Sequence, residues 1–210
     1  MTARHGSKRG ETGFTFIEIM IVVMLIGFMA VWGYPALLKT LNRLKLTQAA
    51  RESSIFMQRA RMEAVKRGGT TEVNYLDAAT CSLGLPCMIA FADLDGDGAF
   101  IAANDVLIAG PYALPTGIKL WGPLDASAEG ANAILGWDEG ATPNDGPIFQ
   151  SDGSAESAGA FRFRDPNGNF LEVRIEFLGT GKPTIKKWFG GGNANTNWFE
   201  NGENGNTWQW

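Results

Sequence analysis

Histidine is almost absent from this sequence. The 210 residues include one histidine, His5, close to the N-terminus. The chain also lacks the Gly-x-Ser-x-Gly elbow of serine hydrolases and a glycine-rich phosphate loop. General acid-base or nucleophilic chemistry would have to rely on carboxylates or lysine alone. We therefore expect a protein that is not an enzyme.

Cysteine is also scarce, and the two that occur, Cys81 and Cys87, are six positions apart. Two thiolates without further Cys or His ligands cannot complete a tetrahedral zinc shell. In an oxidising compartment they would form a small-loop disulfide that stabilises the fold by about 2–3 kcal/mol. The alternative is a pair of reduced thiols in a cytosolic loop.

Basic residues are few outside the first 13 positions. The whole chain has a net charge of -4, and Arg4, Lys8 and Arg9 against Glu11 contribute about +2 of that balance. Residues 14–210 therefore carry about -6, from 15 basic and 21 acidic side chains. This acidity argues against a general nucleic-acid binder, which usually has a basic domain.

Residues 14–34 form an apolar run of 21 residues that contains one charge, Glu18. As a helix, this run is long enough to span a bilayer. Its upstream flank is basic, which places residues 1–13 in the cytoplasm and the rest of the chain outside. An ordinary secretory signal fits poorly because the small residue Gly13 precedes the apolar run instead of following it.

Glu18 is the anomaly of this run. Insertion scales assign about 2.5–3.5 kcal/mol to an acidic residue at the centre of a membrane helix and less near its end. No Lys, Arg or His lies within the run. If the chain is cut after Gly13, however, Phe14 gains a free amine. In a stack of parallel helices, that amine could reach Glu18 of the next subunit.

The segment Gly13-Phe-Thr-Phe-Ile-Glu18 resembles the class III signal peptide of type IV pilins and pseudopilins. The resemblance implies cleavage between Gly13 and Phe14, N-methylation of Phe14 by a prepilin peptidase, and pairing of Glu18 with a neighbour's amine. It extends to Pro35, where pilin helices carry a proline that loosens the helix in the filament. The alternative is an ordinary signal anchor with an accidental glutamate.

After Pro35, good helix formers continue to about Arg67, and Gly68-Gly69 ends the run. A stripe of mostly small residues at helical spacing predicts a face laid against a sheet, namely Ala49, Ser53, Phe56, Ala60 and Ala64. The basic residues around this stripe are interpreted as a solvated face rather than a nucleic-acid site: Arg51, Arg59, Arg61, Lys66 and Arg67.

Short runs separated by Gly, Pro, Asn and Asp follow the helix and predict antiparallel strands at 71–75, 87–92, 106–109, 118–121, 148–150 and 184–189. The clearest is a hairpin of 161–164 and 170–177, in whose second arm Leu171, Val173, Ile175 and Phe177 share one face. The prediction is an α+β fold of pilin-like lollipop shape. Its segments are a leader (1–13), a membrane or filament-core helix (14–35), a packed helix (36–67), a β-rich domain (68–189) and a tail (190–210).

The order of these features is similar to the GspH/FimT family of minor pilins and H-type pseudopilins. The resemblance rests on the helix end, the cysteine loop, the acidic turn after residue 92, the phrase Phe149-Gln-Ser-Asp-Gly153 and the closing strand. It implies a minor structural subunit of a type IV pilus or type II secretion pseudopilus, near the filament tip and active in assembly. Implied partners are the prepilin peptidase and other pilins, with the inner membrane holding the subunit before assembly and its domain in the periplasm.

Residues 93–105 predict calcium as the one candidate cofactor. Asp93, Asp95 and Asp97 occupy positions one, three and five of a calcium loop, and glycine occupies position six. Position twelve is Asn104 instead of a bidentate glutamate, with Asp105 next to it. The alternative is an acidic turn between two strands.

Two further hypotheses concern the C-terminal part. FimT-type proteins of some competent bacteria bind DNA near the closing strand, where this chain has Lys182, Lys186 and Lys187, so a DNA-uptake receptor is the alternative function. Arginine is better at bidentate phosphate contacts, and the acidic chain adds repulsion. The Gly- and Asn-rich tail with Trp198, Phe199, Trp208 and Trp210 predicts either a loosely ordered extension or a partner contact.

Overall fold

The computed structural model describes residues 14–76, 78–96, 98–123, 133–137, 146–191 and 195–209. The chain separates into two compact units, Met1–Thr40 and Leu41–Trp210. Gly13, Asp97 and Trp210, which carry sequence-based predictions, lie outside the described residues.

One helix, α1, runs from Phe16 to Arg67. Pro35 lies inside this helix, which continues through the proline without interruption. The predicted loosening in a filament therefore stays a prediction. At the C-terminal end, the backbone N–H groups of Gly68 and Gly69 both donate to the carbonyl of Ala64. Gly68 has φ 68°, a left-handed conformation that glycine adopts without steric cost and that commonly ends helices.

The described part of the first unit, residues 14–40, is helical from Phe16 and exposes its side chains all round. Large apolar groups such as Phe16 and Trp32 are 79% and 82% exposed. α1 is long and apolar enough here to cross a membrane, by length and composition. An apolar surface of this extent requires a lipid or protein environment.

The second unit contains two antiparallel sheets. The first consists of β1 (Thr71–Leu76), β2 (Cys87–Ala92), β3 (Val106–Ala113) and β6 (Ile148–Phe149), in the order β3-β2-β1-β6. The second consists of β4 (Lys119–Leu120), β5 (Ile134–Leu135), β7 (Gly159–Arg164), β8 (Phe170–Ile175), β9 (Pro183–Trp188) and β10 (Trp198–Phe199). Its order is β10-β9-β8-β7-β4, and β5 also pairs with β7. The predicted α+β class is confirmed.

The helical segment of this unit packs through the predicted stripe. All five of its residues are buried, and they belong to one apolar cluster or border it: Ala49, Ser53, Phe56, Ala60 and Ala64. The cluster includes Val73 of β1 and Phe161 of β7, so both sheets contribute to it. Small side chains let the helix approach the strands closely, and the Thr71 hydroxyl donates to the carbonyl of Ala60 at 2.8 Å.

Arg61 gives a second attachment of the helix. Its Nε donates to the carbonyl of Gly153 at 2.8 Å, in the turn after β6. Gly153 has φ 81°, and a Cβ at this position would lie 3.0 Å from Val65 and 3.3 Å from Arg61. Arg61 is half-buried and contacts the 150–155 turn. The interpretation of this residue as part of a solvated face was therefore wrong.

The predicted hairpin is β7 and β8, with Arg164 opposite Phe170. Asp165 organises its turn by accepting the backbone N–H groups of Asn167 and Asn169 at 2.9 and 2.8 Å. One detail of the prediction was wrong. β8 ends at Ile175, and Phe177 is 73% exposed because the chain leaves the sheet for a 3-10 helix over Leu178–Thr180.

The tail is also more ordered than predicted. Within the described residues 195–209, β10 pairs with β9, placing Trp198 opposite Trp188. Trp198 is 6% exposed, and the Trp208 indole N–H donates to the carbonyl of Phe199 at 3.1 Å. The expectation of a loosely ordered extension is thus wrong for this part of the tail, because its tryptophans pack on the chain's own second sheet.

Candidate functional site

The N-terminal end of α1 presents the residues predicted for processing and assembly. Phe14 is 79% exposed and precedes the helix. The backbone N–H of Thr15 donates to Glu18 Oε2 at 3.4 Å, and the backbone N–H of Glu18 donates to Thr15 Oγ1 at 3.3 Å. This reciprocal pair is a capping box, which satisfies two amide groups that the first turn leaves open.

The capping box was missed in the sequence, although Thr15-Phe-Ile-Glu18 has the required Thr-x-x-Glu spacing. The sequence-based prediction gave Glu18 a cation as its partner, whereas the structure gives it a backbone N–H donor. In the isolated chain, the carboxylate therefore has a local amide partner while remaining exposed on an apolar helix. An N–H donor offsets part of the cost of the charge but does not neutralise it.

Residues 93–105, named here the acidic loop, connect β2 to β3. Asp93, Asp95 and Asp105 each place a carboxylate oxygen within 4.8 Å of the others. Asp93 accepts the backbone N–H groups of Gly96 at 2.7 Å and Gly98 at 3.1 Å. The predicted twelfth residue, Asn104, donates its side-chain amide to Asp95 Oδ2 at 2.7 Å. The structure thus brings together four of the five predicted calcium ligands, the fifth being Asp97.

Asp105 closes the acidic loop. It is 8% exposed and accepts the backbone N–H groups of Leu94 at 3.1 Å and Ile101 at 2.7 Å. Clustered carboxylate oxygens are the ligands that Ca²⁺ prefers. The same oxygens already accept backbone donors, as in an ordinary acidic turn. The geometry therefore fits both sequence-based readings, and calcium stays a prediction.

The three lysines of the DNA hypothesis do not share one exposed surface. Lys182 is exposed, whereas Lys186 is 7% exposed and its Nζ lies 2.7 Å from Glu176 Oε1. Lys187 is 8% exposed and donates to the carbonyl of Gln209. Burial lowers the pKa of Lys187, and the nearby charge of Arg43 lowers it further. Consecutive residues of β9 point to opposite faces, which separates Lys186 from Lys187.

A buried charge network lies on the second sheet. Arg162 and Glu172 are both fully buried, with Arg162 Nε 3.1 Å from Glu172 Oε2. Glu172 Oε1 also lies 3.0 Å from Arg174 Nε. The Arg162 guanidinium donates to Asn195 Oδ1 at 3.0 Å and stacks 5.1 Å from the Trp198 ring centroid. Burial raises the pKa of Glu172 despite the opposing effects of Arg174 and Arg162.

Cys81 and Cys87 are joined in a disulfide, as predicted for an oxidising compartment. The bond closes the loop between β1 and β2. Both cysteines are buried, and they pack with Ile89 and Phe91 in a small second apolar cluster. The disulfide therefore serves the fold of the first sheet.

The comparison with protein families supports the reading of the N-terminus. Residues 8–34 match the model described as the prokaryotic N-terminal methylation motif. This motif is typical of type IV pilin-like proteins, and the match supports a protein of that kind with a membrane-anchoring N-terminal helix. No curated protein and no solved structure matches the chain.

Proposed function

We propose that this chain is a minor pilin or pseudopilin, a structural subunit of a type IV pilus or of a type II secretion pseudopilus. In this proposal it belongs to the GspH/FimT group, lies near the filament tip and takes part in assembly. Before assembly its apolar helix is held in the inner membrane, and its second unit lies in the periplasm.

One observation carries the proposal: a carboxylate, Glu18, on an exposed apolar helix, five residues after Gly13. The segment that contains it matches the methylation motif at 8–34. A lone signal anchor has no need for an acidic residue at this depth, because the residue opposes insertion. A filament subunit gains from it once a cation is supplied.

The cut between Gly13 and Phe14 supplies that cation in the proposed mechanism. Cleavage by the prepilin peptidase leaves Phe14 with a free amine, which the same enzyme methylates and which stays protonated. When helices assemble in parallel, the amine of one subunit pairs with Glu18 of its neighbour. The pair is worth more in an apolar surrounding than in water, so it favours one helix register over others.

The minor-subunit assignment rests on the order of features along the chain. The long helix is followed by the disulfide loop, the acidic loop and the 150–155 turn, to which Arg61 donates a hydrogen bond. The hairpin and then the closing strand come last. The alternative of a DNA-uptake receptor receives no support from the three lysines, because Lys186 and Lys187 are buried and paired.

Mass spectrometry of the N-terminus tests the proposal. The full chain is expressed with and without a prepilin peptidase, and we expect an N-methylated Phe14 start only when the enzyme is present. Gly13→Val should block the cut, while Gly10→Val, a matched change three residues upstream, should leave it intact. An N-terminus that stays at Met1 in the presence of the peptidase would refute the filament assignment.

A further inference from the structure

The C-terminal tail and the end of β9 enclose a groove on the second unit, named here the tail groove. Its volume is about 460 Å³, within the range of roughly 300–1,000 Å³ that is usual for small-molecule sites. Its lining comes from Asn169 before β8, from residues 187–189, and from residues 205–207 and 209 of the tail. Because the tail forms one wall, the groove exists only while the tail is folded on the second sheet.

Hydrogen bonds fix the wall that the tail contributes. The backbone N–H of Asn206 donates to the carbonyl of Glu203 at 2.8 Å. The backbone N–H of Trp208 donates to Asn201 Oδ1 at 3.0 Å. The side chains of Asn206 and Thr207 therefore project from a backbone that is already ordered. Preorganisation of this kind lowers the entropy that is lost when a ligand binds.

Aromatic contacts fix the opposite wall. The Phe189 ring lies edge-on to the Phe199 ring, with 5.8 Å between centroids. The Trp188 ring lies edge-on to the Phe170 ring at 5.6 Å. Phe189 is nonetheless 38% exposed. An exposed aromatic ring in a groove offers a flat apolar surface, on which the C–H face of a sugar ring can pack without any charge.

Several polar groups of the lining have unused hydrogen-bonding capacity. Asn169 Nδ2 donates to Asp165 Oδ2 at 2.8 Å, which fixes the amide and leaves its Oδ1 without a donor among the described residues. The side-chain amide of Asn206 and the hydroxyl of Thr207 have no hydrogen-bond partner within the part of the chain that the structure describes. Amide and hydroxyl groups offer both donors and acceptors, as the hydroxyl groups of a sugar do.

Charge in the lining does not favour an anion. Lys187 is the cation among the described lining residues. It is 8% exposed, and its ammonium group already donates to the carbonyl of Gln209. A phosphate or a carboxylate would have to displace this bond to reach the charge. Among the same described residues, no Asp or Glu lines the groove, so a cation finds no counter-charge either.

An apolar ligand fits the groove less well than a polar one. A hydrocarbon chain would cover the amides of Asn169 and Asn206 without replacing their hydrogen bonds to water, which costs free energy. A neutral ligand with many hydroxyl groups and one apolar face satisfies both the amides and the Phe189 ring. These are the properties of a saccharide.

We propose that the tail groove binds a neutral saccharide of one or two pyranose rings. Hydroxyl groups of the sugar bond to Asn169, Asn206 and Thr207, and the C–H face of one ring packs on Phe189. The inference goes beyond the proposed function and does not depend on it, because every lining residue lies in the second unit. It also gives the tail a role besides covering the second sheet.

Saturation-transfer NMR on the full chain tests the proposal. The chain is held in phosphatidylcholine nanodiscs, since glycoside detergents would themselves supply sugar headgroups. The probes are cellobiose, maltose and N,N′-diacetylchitobiose, each added alone. We expect transfer to the ring protons of at least one of them, with a dissociation constant on the order of 1 mM or lower. Inorganic phosphate at the same concentration should not displace the bound disaccharide.

Two substitutions in the groove should weaken this binding. We expect Phe189→Ala and Asn206→Ala each to raise the dissociation constant about tenfold, through loss of an aromatic contact or of a hydrogen bond. The matched controls are Phe177→Ala and Gln58→Ala, at an exposed phenylalanine and an exposed amide outside the lining, and both should bind as the unmodified chain does. Protease resistance of the tail is measured for every variant.

Asn206→Ala keeps the test decisive if Phe189→Ala loosens the tail, because the Asn206 side chain has no partner among the described residues. Unchanged binding by Asn206→Ala would overturn the proposal. The same holds if none of the three disaccharides binds the unmodified chain, if inorganic phosphate displaces the sugar, or if Phe177→Ala weakens binding as much as Phe189→Ala.

The N-terminal mass of the same samples separates this inference from the proposed function. Chains that begin at N-methylated Phe14 and bind no disaccharide refute the saccharide site alone. Chains that keep Met1 in the presence of the peptidase and bind the disaccharide refute the filament assignment alone.

Discussion

Thr15 and Glu18 hold each other at the start of the long helix, with the carboxylate accepting the Thr15 backbone N–H and the Thr15 hydroxyl accepting that of Glu18. The pair orients the carboxylate back toward the N-terminal end of the chain. This is the end at which a cut after Gly13 creates the new amine. The local bond uses Oε2, so the proposed intermolecular pair would share this carboxylate with it.

Substitution of Glu18 should separate these two roles. We expect Glu18→Ala to leave cleavage largely intact and to impair filament incorporation, because the neighbour's amine loses its counter-charge. Glu18→Gln keeps an oxygen that can accept the Thr15 N–H but carries no charge, and we expect it to be impaired to a similar degree. N-terminal mass and the protein content of sheared filaments are measured. Normal incorporation of Glu18→Gln would assign the role to the cap instead.

The buried pair of Arg162 and Glu172 gives a stability prediction. Glu172→Ala leaves a buried guanidinium with Arg174 as a like charge nearby, so we expect a loss of about 3–5 kcal/mol in the free energy of unfolding. The control Glu200→Ala removes an exposed carboxylate of the same unit and should cost about 1 kcal/mol or less. Denaturant unfolding of the full chain in detergent, followed by tryptophan fluorescence, provides the measurement. Equal losses in the two variants would contradict the prediction.

Trp198 should anchor the tail to the second sheet. Trp198→Ala removes a buried ring and the stacking partner of Arg162, so we expect a loss of about 3–5 kcal/mol of unfolding free energy. Trp32→Ala is the control, because its side chain is 82% exposed in the first unit. Protease digestion should release the tail of Trp198→Ala first. A tail that stays as resistant as in the unmodified chain would show that β10 does not depend on this ring.

Calcium can be tested at the acidic loop by thermal unfolding. If the loop binds the ion, saturating Ca²⁺ at about 100 times its dissociation constant should add about 2.7 kcal/mol to stability. Asp95→Asn should reduce this gain, because it removes one of the clustered carboxylates. Asp95 is exposed, so the substitution should spare the fold itself. Asp152→Asn, an exposed acid outside the loop, should leave it unchanged. An unmodified chain that gains nothing over a chelator-treated sample would show that the loop is an acidic turn.

Lys187 should make the free energy of unfolding depend on pH in the alkaline range. Its pKa is lowered in the folded state by burial and by Arg43, so the unfolded chain binds more protons between the two pKa values. The neutral Lys187 side chain avoids the cost of burying a charge. This gain in stability is complete above the pKa of the unfolded chain, about 10.4, and is lost as the pH falls through the pKa of the folded chain. Lys187→Met should flatten the rise in unfolding free energy over this range. Lys182→Met, at an exposed position, should not change it.

Several elements of the fold were predictable because they depend on local sequence. The five-residue stripe at helical spacing was confirmed as the buried face, since the period of a helix fixes which side chains share a side. The hairpin of β7 and β8 followed from its Asp-Pro-Asn-Gly turn between alternating residues. The short strands β5 and β10 were not predicted, whereas the equally short β4 and β6 lie within predicted strands. β10 lies in the Gly- and Asn-rich tail, whose composition predicts a loosely ordered chain.

Other features were set by packing between distant segments. Alternation in β8 shows that Glu172 and Leu171 lie on opposite faces, but it does not show that both faces are covered. The tail covers the face of Glu172, 26 positions further along the chain at Trp198, and this turned an expected polar surface into a buried ion pair. Lys187 lies on the opposite face, with Leu171, and is removed from solvent there through its bond to the Gln209 carbonyl.

The N-terminal segment, from the basic leader and Gly13 to Glu18 on the apolar helix, could be interpreted without a structure. A membrane or a neighbouring helix responds to the hydrophobicity, charge and spacing of consecutive residues, and these are visible in the sequence. Which charged side chains are available for contact depends instead on packing between distant segments. Arg51 and Arg59 remained exposed while Arg162 and Lys187 were buried, because burial depends on which strand or tail lies above a residue.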